Sequence, residues 1–230
     1  KSFMRVGALF SGGKDSTLAL IKASRIHDVK CLISIISENQ ESYMFHVPNI
    51  SLTKYQAEAM ELPIINKFSE GIKEEELKYL EEAVKEAKEE FGIEGVVTGA
   101  IRSNYQYSRV KAICDKLRLE LIAPLWQMDD IEELKEVLKE KIVAIITSVS
   151  SYPLDKSFLG KVIDESIIER FNEFKERYGF NPSGEGGEYE TFVIDAPIFK
   201  KKIFIEDFEI VEEKDSGYMK INKIKLVEKF

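Results

Sequence analysis

Two cysteines, two histidines and one tryptophan in 230 residues leave little material for several kinds of chemistry. Cys31 and Cys114 lie in apolar surroundings, with no C-x-x-C pair and no histidine at metal-ligand spacing. Nothing therefore supports a disulfide framework or a thiolate zinc site. Both cysteines read as buried free thiols, as expected in a reducing, cytoplasmic compartment. His27 and His46 are the only imidazoles, and no Gly-x-Ser-x-Gly elbow is present, so hydrolase relays lack their parts. His27 falls in a polar loop and reads as solvated. His46 follows the second apolar strand, toward the edge described below. No apolar run approaches the ~20 residues of a membrane helix, and the first residues carry no secretory pattern. Positive charge is short as well. A net charge of −8 and a pI near 5.1 have the wrong sign for general nucleic-acid binding. No direct nucleic-acid partner is expected, and phosphate would have to be held by a local site.

What the chain does have is alternation. Apolar runs at residues 5–10, 30–37, 62–68, 95–100 and 119–125 are separated by helix-like segments at 17–24, 51–60, 73–91 and 108–117. Ser51 is placed to cap the second of these. The third repeats Leu77, Leu80, Val84, Ala87 and Phe91 at spacings of three and four, presents a charged face to solvent, and ends at Gly92. Such alternation predicts an α/β fold: a doubly wound, mostly parallel, Rossmann-like sheet covered on both faces. Beyond residue 140 the pattern changes. Residues 141–150 read as one more buried strand and 164–178 as a helix. A Gly-rich acidic loop follows, then three alternating strand-like stretches, the last two joined at Asp215, Ser216 and Gly217. The expected division is a domain over 1–138 and a smaller α+β domain over 139–230. With no low-complexity linker between them, the two are expected to pack tightly.

The first run ends in "SGGKDS", residues 11–16. In an open parallel sheet this edge is where ligands bind. Gly12 and Gly13 let the backbone approach a ligand, the helix start offers free N–H groups, Lys14 adds a charge, and Ser11 and Ser16 add hydroxyls. All suit a phosphate. It is not a Walker loop: Gly7 and Gly12 have the spacing, but Gly13 follows where that motif needs Lys, and Asp15 follows the lysine where it needs Ser or Thr. Asp15 beside a phosphate has three readings: it holds Mg²⁺, or Lys14, or the helix N-terminus. The motif resembles the SGGxDS loop of the N-type ATP pyrophosphatases, whose fold is adenine-nucleotide α-hydrolase-like. The resemblance implies ATP cleavage to AMP and pyrophosphate. It gives residues 11–16 to ATP binding, with Lys14 and Asp15 as catalytic residues and Asp15 on Mg²⁺.

A second stretch, "SGEGGEYETFVIDAPIF" at residues 183–199, puts Glu185, Gly186, Gly187, Glu188, Tyr189 and Glu190 together. Paired glycines flanked by carboxylates permit a tight closure around a cationic group. This run, "GAIRSNYQYSRV" at 99–110 and "LIAPLWQ" at 121–127 together resemble the diphthine–ammonia ligase family, in the right order along most of the chain. The acid pair Asp129–Asp130 after Met128 departs from the basic residue expected there. The resemblance implies a minimal ligase that amidates diphthine on elongation factor 2. Ammonium is the nitrogen source, activation passes through an acyl-adenylate, and AMP and pyrophosphate leave. Gly99, Ala100, Ile101 and Arg109 join the ATP site. Gln106, Trp126 and the residues 185–190 go to the substrate. Diphthine carries a trimethylammonium, so Tyr105, Tyr107, Trp126 and Tyr189 are candidates for an aromatic cage, with Glu185 or Glu188. Arg109 as a plain helix-surface residue stays open, as does a homodimer. A tRNA-modifying ATP pyrophosphatase and a non-catalytic ATP sensor are the alternatives.

Overall fold

A parallel sheet buried on both sides sends successive residues of each strand into two different cores. The computed structural model, which describes residues 2–37, 48–70 and 73–230, has this arrangement. Strands β1 (Arg5–Leu9), β2 (Asp28–Ser37), β3 (Ile64–Ser69), β4 (Gly95–Val97) and β5 (Glu120–Ile122) form a sheet in the order β3-β2-β1-β4-β5, parallel throughout. Between them lie helices α1 (Lys14–Ser24), α2 (Thr53–Met60), α3 (Lys73–Phe91) and α4 (Asn104–Leu117). Val6 and Ala8 pack with Leu18, Leu20 and Ala57, so α1 and α2 cover one face. Ile33 and Ile35 pack with Leu80, Val84 and Ile113, so α3 and α4 cover the other. The strand order reverses at β1, which places the ligand-binding crevice at its carboxyl end.

A second sheet follows α5 (Asp130–Lys139). It comprises β6 (Val143–Val149), β7 (Tyr189–Asp195), β8 (Lys201–Glu213) and β9 (Ser216–Glu228), ordered β7-β6-β9-β8 and antiparallel, with α6 (Glu165–Tyr178) packed on it. The core under α1 runs on without a break through Ile146, Phe171 and Phe192, so one apolar interior joins the two sheets. No described helix is long and apolar enough to cross a membrane.

Several local expectations are corrected. Helix α1 begins at Lys14 rather than residue 17, because Gly13 at an extended ψ of 178° lets the helix start straight after the turn. Ser51 caps nothing: it lies in a 3₁₀ turn (Ile50–Leu52), and α2 starts at Thr53 with no side-chain cap. The last hairpin turns at Lys214 and Asp215, leaving Ser216 and Gly217 inside β9. His27 is not solvated. It is 6% exposed, and its Nδ1 accepts the Met4 N–H at 3.1 Å, since the turn after α1 folds it under the first strand. Helix α5 is an addition. Its cap is Asp129, which accepts from the N–H groups of Ile131 and Glu132, a bond set worth about 1 kcal/mol. The acid pair that departs from the family pattern thus starts a helix.

Candidate active site

Residues 10–13 connect β1 to α1 at the crevice. Gly12 has φ +86°, and a Cβ there would lie 2.6 Å from Gln56 Oε1. Its carbonyl accepts from Gln56 Nε2 at 3.0 Å and from the Val193 N–H at 2.8 Å. Gln56 also donates to the Val193 carbonyl at 2.9 Å. Lys14 N–H donates to Thr191 Oγ1 at 3.0 Å. Strand β7 of the second sheet therefore holds the glycine loop of the first. The N-cap of α1, Gly13, supplies no side-chain bond to the first turn, which leaves a helix start able to receive an anion. Ser11 and Ser16 hydroxyls sit 3.3 Å apart beside it. Gly99, just past β4, presses on this turn: a Cβ there would be 3.0 Å from Ser16 N and 3.1 Å from the Asp15 carbonyl.

Lys14 does not extend into the crevice. It is 2% exposed, and its ammonium donates to Asp15 Oδ1 at 2.6 Å, Glu133 Oε1 at 2.7 Å and the Ser183 carbonyl at 2.8 Å. Of the three readings of Asp15, the one in which it holds Lys14 is the one seen. Burial alone would lower the Lys14 pKa, but the carboxylates of Asp15 and Glu133 reverse this and hold it well above the usual lysine range. Glu133, from α5, is fully buried, and its Oε2 has no partner among the described residues. Burial and Asp15 push its carboxyl up against the pull of Lys14. Sequence reasoning did not reach Glu133. Its signal was the amphipathic run 130–139, with Leu134 and Val137 turned inward.

The acidic glycine loop closes the opposite side. Gly184 (φ +73°) packs against the Tyr189 ring, leaving no room for a Cβ. Glu185 reaches back to the first sheet. Its Oε2 accepts the Ile101 N–H at 2.6 Å, and its Oε1 accepts those of Arg102 and Ser103 at 2.8 and 3.0 Å. Tyr189 is 2% exposed. Its hydroxyl donates to the Pro182 carbonyl at 2.6 Å, its ring packs on Phe171 and Phe180, and burial drives its pKa up. Glu188 is raised by burial, and its Oε1 lacks a partner among the described residues.

These parts enclose a cavity of about 1000 Å³, at the upper end of the roughly 300–1,000 Å³ usual for small-molecule sites. Its wall includes Ser11, Gly13, Lys14, Asp15 and Ser16 from the first loop. Gly99, Ala100 and Gln106 come from the β4–α4 segment, and Glu185, Gly186, Gly187, Tyr189 and Glu190 from the acidic loop. Gly12, Ile101 and Glu188 are not part of it. Arg109 is also off it: its guanidinium lies over the Tyr105 ring at 3.4 Å and donates to the Tyr105 carbonyl. The expected aromatic cage is not assembled. Trp126 stacks on Tyr107 at 4.2 Å and borders a separate shallow hollow with Arg102, Asn104 and Gln127, while Tyr189 is core packing. Of the four aromatics, Tyr105 and Tyr189 reach the wall. Glu185 is committed to backbone N–H groups. His46 lies outside the described residues.

Glu190 gives the site a pH dependence. Loss of water, with Asp15 adding and Lys14 opposing, pushes its carboxyl from about 4.5 up to about 8. Between those values the folded protein holds a proton that the unfolded chain has released, so this contribution to stability is full below the lower value and lost as pH rises to the upper one. Thermal melts of the parent and Glu190→Gln from pH 5 to 9 are expected to diverge. The variant, which cannot ionise, gains on the parent as pH rises. Parallel curves would contradict this.

Residues 4–121 match the family described as Diphthamide synthase N-terminal domain, and residues 130–227 match Diphthamide synthase C-terminal domain. The diphthine–ammonia ligase of Bos taurus is 34% identical over 98% of this chain and 91% of its own. That of Mus musculus is 36% identical over 98% of this chain and 94% of its own. The diphthine–ammonia ligase of Schizosaccharomyces pombe is 33% identical over 96% of this chain, which spans 39% of that protein. With both domains matched in order and relatives aligned along nearly its whole length, the chain belongs to the diphthine–ammonia ligase family.

Proposed function

We propose that this protein amidates diphthine on elongation factor 2, using ATP and ammonium and releasing AMP and pyrophosphate. The observation that supports it is one cavity walled on one side by the glycine loop of the first sheet and on the other by the acidic glycine loop of the second. A carboxylate does not exchange oxygen for nitrogen at neutral pH. Converted to a mixed anhydride with AMP, it loses AMP instead of oxide when ammonia attacks. Positioning and charge stabilisation around phosphorus are then what the protein supplies. In this reading residues 1–138 carry the nucleotide and 139–230 the acceptor. The uncapped start of α1, with Ser11 and Ser16, takes the phosphates, and the apolar wall at Ile33, Ile35 and Val110 takes the base.

The residues fit Mg²⁺-ATP. Among the described residues no group of three or more His, Cys, Asp or Glu is placed to hold a metal unaided. That suits an ion which uses one or two carboxylates plus substrate phosphates. Asp15, with its side chain 29% exposed, is the carboxylate at hand; the ion would neutralise phosphate charge there. A tRNA thiolation reading is disfavoured by the cysteines. Cys31 and Cys114 are fully buried, and burial pushes both thiols up to about 12, far from a reactive thiolate.

The test is a product assay with Mg-ATP, ammonium and elongation factor 2 bearing diphthine. The expected result is AMP together with a modified-histidine peptide whose mass reflects a carboxylic OH replaced by NH₂. AMP without that exchange would move the acceptor elsewhere. No AMP with any acceptor would favour the sensor reading.

A further inference from the structure

We propose that Lys14 and Glu133 are positioning residues, a buried pair that ties the glycine loop to the acidic loop through the Ser183 carbonyl. Lys14 is then a strut between the two walls rather than a phosphate ligand. The inference rests on the reading of the cavity given above, but one arm of its test does not.

An ammonium has three hydrogens to donate. Lys14 gives one each to Asp15, Glu133 and Ser183, all at 2.6 to 2.8 Å. The Tyr189 ring lies 5.6 Å from the nitrogen on a further side. No donor is left for a ligand. Glu133 is fully buried and belongs to α5, which contributes nothing to the cavity wall. It faces Lys14 from behind the loop and holds the ammonium away from the cavity. A buried carboxylate of this kind persists only with a partner. The two helices are also joined by Lys22 with Glu136 and, at the residues that cap their C-terminal ends, by Arg25 with Glu140, so Lys14 with Glu133 is the buried member of three ion pairs along α1 and α5. Ser183 opens the acidic loop, which is tied further along by Glu185 to residues 101–103 and by the Glu188 carbonyl to Ser150. Through Lys14, the position of α5 sets where that loop begins.

Lys14→Met, Glu133→Leu, the double variant and Glu133→Gln distinguish a strut from a phosphate ligand. The double variant is the decisive one, because it removes one charge of each sign. Calorimetry with Mg²⁺ and α,β-methylene-ATP is expected to give it a Kd within about 3-fold of the parent. Amide exchange across residues 183–188 is expected to accelerate in both single variants. AMP formation with the diphthine-bearing factor should fall about 30-fold in each single variant and no further in the double, since either loss breaks the same strut. Glu133→Gln keeps an acceptor oxygen and should recover most of the rate. A double variant that binds the nucleotide 30-fold more weakly, or parent-like exchange at 183–188 in Lys14→Met and Glu133→Leu, would overturn the proposal. If Glu133→Leu does not fold, Lys14→Met decides it by the exchange and Kd readouts, with Glu133→Gln as the control expected to stay close to the parent. If no AMP forms even with the parent, amide exchange across residues 183–188 still decides the strut, and the failure belongs to the proposed reaction.

Discussion

Gly99→Ala is expected to slow AMP formation by about 10²-fold and to cost about 1–3 kcal/mol of stability. The added methyl would lie 3.0 Å from Ser16 N and 3.1 Å from the Asp15 carbonyl carbon and oxygen. Those are backbone atoms of the first turn of α1, and they cannot rotate away as a side chain can. Either α1 moves off the sheet edge or the segment after β4 does, and both form the same wall of the cavity. Gly186→Ala is the internal comparison. Its methyl would meet the Glu188 carboxylate at 2.9 Å, the far end of a flexible side chain, so the neighbour can swing clear. Rates and urea melts of the two variants side by side check the argument. A Gly99→Ala protein with parent kinetics would show that the turn has slack that the packing does not display.

What could be seen in the sequence follows from how local each signal is. The apolar runs of β1 and β2 and the three-four spacing of α3 are decided within a dozen residues, and both appear where the pattern puts them. The glycine loop is equally local, because a strand end, two glycines and a helix start are contiguous. The contacts that give the site its charge are not. Lys14 meets Glu133 across 119 positions, and Glu185 meets Ile101 across 84. Each residue taken alone reads as an ordinary surface charge. Side-chain type was a poor guide for the same reason. Tyr189 and Trp126 have the faces a quaternary ammonium wants, yet Phe171 and Tyr107 take those faces first. His27 looks polar in its segment, and only folding brings Met4, 23 positions away and just before the first strand, over it.

Glu185→Ala should separate two roles that composition alone leaves equivalent. If its carboxylate recognised a cationic substrate, the variant would raise the KM for the protein substrate and leave unfolding unchanged. The geometry favours another outcome. Three successive N–H groups, of Ile101, Arg102 and Ser103, point at its two oxygens just before α4. That is the place where a helix start most favours negative charge. Hydrogen bonds to a charged group are worth about 1.5–3 kcal/mol each when partly buried, and these three share one carboxylate, so a total loss of about 2–3 kcal/mol is expected. The rate of AMP formation should drop with it, because the bonds bridge the β4–α4 segment and the acidic loop, which face each other across the cavity. Glu185→Gln is expected to rescue poorly despite its shape. All three partners are donors, and an amide offers one acceptor oxygen and turns its NH₂ toward an N–H. Denaturant melts and amide exchange at residues 101–103, read beside the KM for the protein substrate, settle which role holds. A stable Glu185→Ala protein with raised KM alone would return this carboxylate to the substrate.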